Sequence, residues 1–260
     1  MKLEVSHVTR YRYEAPVRMS TQYLRLTPRD SARQSVLAWR LEAPAVPTRT
    51  ADGYGNILHV LTLDTPVSQI EIRASGTVQT RPAYDEGADP VPLPPLVFTR
   101  PTPLTRVDAA LASFAEKHRR RGHSPSALAE LAAAILQRLP FTPGETHSAC
   151  TAAEAFALGS GVCQDHTHVF IACCRHLGVP ARYVSGYLHA AGVASHAWAE
   201  AWVLDRWHSF DIPNSRPAGE EHIKLAIGAD YLDACPIRGT RMGGGTETMS
   251  AVAAVGASQQ

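Results

Sequence analysis

A break in hydrophobic period divides this chain in two. Before about Thr80 the pattern has period two: residues 3–13, 70–74 and 77–80 alternate, which is the mark of half-buried strands. Asp52-Gly53-Tyr54-Gly55-Asn56 supplies a turn between two such runs. Residues 1–82 are therefore expected to form a β-rich, sandwich-like N-terminal domain. From Arg81 to Pro103 the periodicity stops, and Pro90-Val91-Pro92-Leu93-Pro94-Pro95 favours extended polyproline geometry and removes backbone donors. Residues 83–104 are read as a linker, or as a strap packed over the sandwich.

Beyond that stretch the period becomes helical, then strand-like again. Val107, Ala110, Leu111 and Phe114 share one face, and Leu128, Leu131, Ala132, Ile135 and Leu139 share another. Ser124-Pro125 is a favoured helix entry, and Pro140 closes the helix it opens. A short helix is expected over 152–158, broken by Gly159-Ser160-Gly161. The next should start at Cys163 and stop near Leu177, before Gly178-Val179-Pro180. It is apolar nearly all round after Thr167, so it belongs in the core. Strands follow at 181–189, 196–204 and 207–211, and the tail after Ala251 reads as weakly ordered. The whole is α+β, with 105–255 as the second domain.

Composition narrows the function classes. The 260 residues are 45% hydrophobic and 19% charged, enough for a substantial core, and the formal net charge is only +1. Neither nucleic-acid nor membrane binding is expected at that charge; Lys117-His118-Arg119-Arg120-Arg121 reads as a solvated helix end. Lys2 and Glu4 interrupt any apolar leader, and no later stretch is long enough to span a membrane, which points to the cytoplasm. Five cysteines, an odd number, do not form a disulfide framework and suit reducing surroundings.

One of those cysteines carries the chemistry. Cys163, within Gly161-Val162-Cys163-Gln164-Asp165, falls at the first turn of a helix. There, unpaired backbone N–H groups and the macrodipole favour a thiolate. Attack on an amide also needs an imidazole and an acceptor that orients it. His196, on a strand with Trp198, Glu200 and Trp202 on the same face, and Asp211, closing Trp207-His208-Ser209-Phe210-Asp211, are the candidates. A tight turn at Asp205-Arg206 would set Asp211 opposite Glu200, leaving His196 four residues, roughly 13 Å, further along. A bulge, a strong twist or departure of the chain after Phe210 must close that gap.

A zinc site is the rival reading. Cys163 and His166 are three apart on a helix, and Asp211, His208 or His147 could complete the set. His166 and His168 diverge on a helix, however, and no Cys-x-x-Cys or His-Glu-x-x-His pattern occurs. No metal or cofactor is expected, and His166 and His168 are read as helix-surface groups or as supports behind the site.

Gly161-Val162-Cys163-Gln164-Asp165, the run from Leu177 to Leu188, His196-Ala197-Trp198 and Phe210-Asp211 closely resemble the bacterial transglutaminase-like superfamily. His222-Ile223, Asp230-Tyr231 and Pro236-Ile237-Arg238-Gly239 look like the end of that core domain. Arg10-Tyr11-Arg12-Tyr13, Leu24-Arg25-Leu26-Thr27-Pro28-Arg29 and the Asp52–Asn56 turn are similar to the N-terminal region that accompanies it. The resemblance implies a papain-like cysteine-protease fold, with Cys163 as nucleophile, His196 as base and Asp211 as the third member. Two positions depart from the family pattern. Asp211-Ile212-Pro213-Asn214 shifts a proline that usually follows the aspartate directly, and His166 stands where an aromatic residue is common. With no tryptophan between Trp39 and Trp198, the backbone N–H of Cys163 is the main oxyanion donor expected, with His147 second.

These residues imply an acyl-thioester formed from a peptide or glutamine-type amide, most readily hydrolysed as by a cysteine protease or amidase. Transfer to an amine, as in a transglutaminase, uses the same groups and stays open. So does a non-catalytic binding module, although the intact set of three argues against it. A protein or peptide substrate is expected, and self-association through the β-domain stays open.

Overall fold

The structure is a computed structural model that describes residues 1–82, 93–119, 123–190 and 194–257. Five strands come first: β1 (Lys2–Leu24), β2 (Gln34–Glu42), β3 (Thr48–Ala51), β4 (Ile57–Leu63) and β5 (Val67–Thr80). Four helices follow: α1 (Ala109–Arg119), α2 (Pro125–Arg138), α3 (Ala152–Leu158) and α4 (Cys163–His176). Then come β6 (Ala181–Leu188), β7 (Ser195–Val203), β8 (Arg206–Phe210), β9 (His222–Gly228), the single turn α5 (Tyr231–Ala234), β10 (Ile237–Gly243) and β11 (Glu247–Ala257). The α+β class expected from the periodicity holds, and the elements fall into two sheets.

The larger sheet is organised by β1. Its 23 residues are long enough to serve two ladders: the first half pairs with β5 and β11, the second with β4 and β10. The β1–β5 register shifts between Arg12 and Val17, around Pro16, which has no N–H to give a ladder. There the seven-stranded sheet curls. β10 and β11, which begin inside the 105–255 span, thus follow one another antiparallel along the N-terminal strand and hydrogen-bond to it. Glu247–Ala257 pairs with β1 from Tyr13 back to Leu3, so the weakly ordered tail expected after Ala251 is a strand as far as Ala257. Small residues such as Ala251, Ala253 and Ala254 carry little pattern of their own; the edge of β1 orders them.

The smaller sheet has the order β8-β7-β6-β9, all antiparallel. Ala197, Ala199 and Ala201 of β7 share one core with Val169, Phe170, Cys173 and Cys174 of α4. Alanine at alternate positions gives the helix a shallow face to pack on. Every residue of α4 from Asp165 to Arg175 is buried, as its apolar composition demands. The opposite face of β7 presents Trp198, packed with Val184, Ala218 and Ile227 and with Tyr54 of the β-rich unit.

The Asp52–Asn56 turn does more than reverse the chain. Asp52 Oδ1 accepts from the N–H groups of Tyr54 and Asn56, and the Asn56 side-chain amide bonds both backbone groups of Ile227 on β9 (2.7 and 2.8 Å). Phe98, in the 3-10 turn Pro95–Thr99, packs on Tyr54 and on Trp207. Both contacts join the two units. The run of prolines at 90–92 lies outside the described residues.

Candidate active site

The start of α4 is assembled by the residues just before it. Gly159 ends α3 in the left-handed conformation (φ 78°). Gly161 lies so near Asp165 that a Cβ there would fall 2.6 Å from the aspartate's own Cβ. Asp165, the third helical residue, accepts from Val162 N–H at 2.8 Å and from Thr146 Oγ1 at 2.7 Å. Cys163 is the first helical residue, so its N–H has no intrahelical acceptor.

Cys163 is half-buried at this end of the helix, whereas Cys150, Cys173, Cys174 and Cys235 are buried. Burial, then the Asp165 and Glu154 carboxylates, push the Cys150 thiol up to about 11, and burial also raises the other three. Those four are held as thiols.

The β7–β8 hairpin resolves the gap expected between His196 and Asp211. Its turn is Leu204-Asp205, both left-handed (φ 53° and 57°), one residue earlier than the sequence suggested. Phe210 therefore faces Ala199, and Asp211 comes level with Trp198, about 7 Å along the strand from His196 rather than 13 Å. The chain also leaves the ladder there, with the Asp211 backbone pairing to Arg216 instead. His196 Nε2 lies 2.9 Å from Asp211 Oδ1. A left-handed leucine is uncommon, which is why sequence alone placed the turn one residue late.

The Cys163 side chain lies close enough to act on the His196 ring as well. Since Nε2 is engaged by Asp211, Nδ1 is the ring nitrogen left for the thiol. Burial acts to lower the His196 pKa. The hydrogen bond to Asp211 and its charge, with the nearby Cys163 side chain, outweigh it and raise it to about 9. Asp211 is likewise buried, which pushes its carboxyl up, but His196 and His222 more than compensate and hold it well below the usual carboxylate range.

Two partners of Asp211 were not singled out from sequence. His222 Nε2, at the start of β9, lies 2.8 Å from Asp211 Oδ2, and Asn214 Nδ2 donates to the same oxygen at 2.8 Å. Spacing gives no signal for His222, because β9 is separated from β7 by β6. Asn214 follows the shifted proline, so the loop that departs from the family pattern still reaches the carboxylate.

The helix-surface reading of His166 and His168 is overturned, since both are fully buried. His166 Nε2 bonds the Leu139 carbonyl at 2.6 Å and its ring stacks on Phe141, taking the place of an aromatic residue. His168 Nε2 accepts from Tyr231 N–H, and burial with the nearby Arg175 charge lowers its pKa to about 3. His147 sits in an exposed turn with Nδ1 accepting from Ala149 N–H, and Gln164 reaches the Ser148 carbonyl. The sequence-based zinc set is therefore dispersed.

His196, Asp211 and His222 do place three ligand-type atoms within 4.8 Å of one another. Gly219 N–H, however, donates to His222 Nδ1 at 2.9 Å, which puts the proton of the neutral ring on Nε2, the atom facing Asp211. A cation would need that nitrogen bare and a second N–H pointed at Gly219. These residues do not fit a metal. A cavity of about 620 Å³ lies behind Asp211, against Ala129, Ala132 and Ala133 of α2, but neither Cys163 nor His196 lines it.

Trp198 stacks beside His196 and closes over Gly186, where a Cβ would stand 2.1 Å from Ile223 O and 2.7 Å from the indole. Gly186→Ala is expected to cost about 1–3 kcal/mol through overpacking against backbone, read as a lower urea midpoint.

The chain matches the family described as the bacterial transglutaminase-like N-terminal region over residues 3–79, and the transglutaminase-like superfamily over 112–212. It is 30% identical over 272 residues to an uncharacterized protein of Mycobacterium leprae, covering 96% of this chain and 97% of that one. It is 31% identical to an uncharacterized protein of Mycobacterium tuberculosis, covering 92% and 87%. Among solved structures it is similar to one described as a putative cysteine protease from Cytophaga hutchinsonii. There the TM-score is 0.80, with 22% identity, over 100% of this chain and 92% of that one. At that identity the likeness is one of fold.

Proposed function

This chain belongs to the transglutaminase-like superfamily, and from that premise we propose that it is a thiol enzyme acting on peptide or glutamine-type amides, with Cys163 as nucleophile, His196 as base and Asp211 as orienting carboxylate. The observation that carries this reading is the position of His196, hydrogen-bonded to Asp211 through Nε2 and near enough to the half-buried Cys163 for that side chain to act on its charge. An imidazole so held keeps a proton at neutral pH and offers it where a leaving amine would depart.

In the first half-reaction Cys163 Sγ bonds to the carbonyl carbon and the oxyanion is met by the Cys163 N–H at the start of α4. The carbon–nitrogen bond then breaks, the amine takes the proton from His196 Nδ1, and an acyl-thioester remains. In the second half-reaction His196, now neutral, removes a proton from water; hydroxide character at the carbonyl breaks the carbon–sulfur bond and restores the thiolate and imidazolium. Hydrolysis of peptide or isopeptide bonds is the favoured outcome, and a primary amine in place of water gives acyl transfer by the same steps.

The test is mass spectrometry of a peptide pool incubated with the protein, with and without a primary amine. Cleaved peptides formed by the wild type and not by Cys163→Ala are expected. Amine adducts in place of cleavage would make the chain an acyltransferase, and products identical to those of Cys163→Ala would leave a binding protein.

A further inference from the structure

Asp211 is held from two sides, and the side away from His196 is as well built as the side toward it. Its side chain is fully buried, with Oδ1 given to His196 and Oδ2 receiving both His222 and Asn214. His222 is itself buried, with the edge of its ring against Trp198 (centroids 5.2 Å apart, 78° between planes). The Gly219 N–H on Nδ1 selects one tautomer and leaves Nε2–H aimed at the carboxylate. His222 N–H also bonds the Gly219 carbonyl, so ring and backbone are tied to the same residue.

We infer that His222 is a positioning residue of this site: a neutral imidazole whose Nε2–H holds Asp211 ionised and turned toward His196. The inference rests on the thiol-enzyme reading above and extends it to a residue beyond the 112–212 span matched to the superfamily. A carboxylate removed from water needs charge-assisted hydrogen bonds on both oxygens to stay ionised, and His196 can serve only one. His222 suits the other because its donor cannot rotate away while Gly219 engages the ring. Burial, and the charges of His196 and Arg216, keep it from protonating, while Asp211 acts in the opposite sense. Glu221 adjoins it in the chain, and Arg33 and Lys224 line the small cavity beside it. A protonated His222 would direct an N–H at the Gly219 N–H and break the tie that sets its tautomer.

The experiment uses the full chain with His222→Phe, which keeps an aromatic ring and removes the donor, and His222→Gln, which returns an N–H. The wild-type ring is expected to show the Nε2–H tautomer by nitrogen-15 NMR at neutral pH. In His222→Phe, kcat should fall by about tenfold or more with KM unchanged, and carbon-13 titration of the Asp211 carboxyl should move upward. His222→Gln should recover most of both. The inference is overturned by a wild-type ring protonated on Nδ1, by a Phe variant with wild-type kcat and Asp211 titration, or by equal loss in both variants with the Asp211 titration unmoved. The wild-type tautomer decides even where the Phe variant does not fold. If the wild type turns over no amide, the thiol-enzyme reading fails on its own, while the tautomer and the Asp211 titration still report whether His222 holds the carboxylate.

Discussion

His196→Ala is expected to lower amide turnover by about 10⁴- to 10⁶-fold, the range found when one member of a nucleophile–base unit is removed and the rest of the site still binds substrate. The loss should fall on kcat, because the imidazole touches the reacting atoms and contributes little to holding the ground state. In the mechanism proposed above two functions vanish together: the cation beside the Cys163 sulfur and the proton given to the leaving amine. The pH profile of the wild type carries the same information. With the His196 pKa raised to about 9, the imidazolium is present at neutral pH and is lost as pH rises through that value, so the alkaline limb is expected near pH 9.

Stability follows the same sign. The His196 contribution is complete below pH 6.5, its unperturbed value, and disappears as pH climbs through about 9. The Asp211 contribution, from a depressed pKa, is present above the ordinary carboxylate range and is lost as pH falls through the native value. Urea midpoints measured between pH 3 and 10 should therefore pass through a maximum, with an alkaline decline that is weaker in His196→Ala.

Glu200→Ala is expected to destabilise the fold by about 3–5 kcal/mol, the cost of leaving a buried charge without its counterion. Arg182 and Glu200 have no exposed side-chain surface, their hydrogen bonds are 2.6 Å long, and they face each other across the β6–β7 ladder. Lys224 of β9 makes a second ion pair with Glu200, and the Arg182 guanidinium lies 4.0 Å over the Trp207 ring. Three strands of the smaller sheet are thus tied by one carboxylate. Replacing the pair together, Arg182→Met with Glu200→Leu, should recover most of the loss, because apolar side chains need no counterion. Chemical denaturation monitored by circular dichroism separates the two outcomes. The same carboxylate sits on the strand that presents His196, so Glu200→Ala should also broaden the placement of that ring and lower kcat.

How far the molecule could be read in advance differs from element to element. α2 begins at Pro125 behind a Ser124 cap, and α4 spans Cys163–His176, both as the local cues predict, because caps, prolines and 3.6-residue periodicity act within a few residues. The part of β11 after Ala251 reads from sequence as weakly ordered because its small residues gain order only from β1, more than 230 positions away. The helix α4 reads from sequence as a core element after Thr167, but its burial begins earlier and takes in the polar His166 and His168, whose partners Leu139 and Tyr231 lie on other elements. Cys163, His196 and Asp211 could be named from local context, whereas the register that joins the last two depends on a turn whose left-handed Leu204 has no common sequence signal.

Local chemistry alone determined that a thiol stands at a helix start, that alternating small and large residues form the strands beside it, and that a carboxylate ends the hairpin. Tertiary structure decided which imidazoles reach that carboxylate. Hydrogen bonds of 2.9 and 2.8 Å from His196 and His222 depend on hairpin register and on a sheet order in which β9 lies two strands from β7. Such contacts join residues through space, and a one-dimensional pattern carries no measure of that distance.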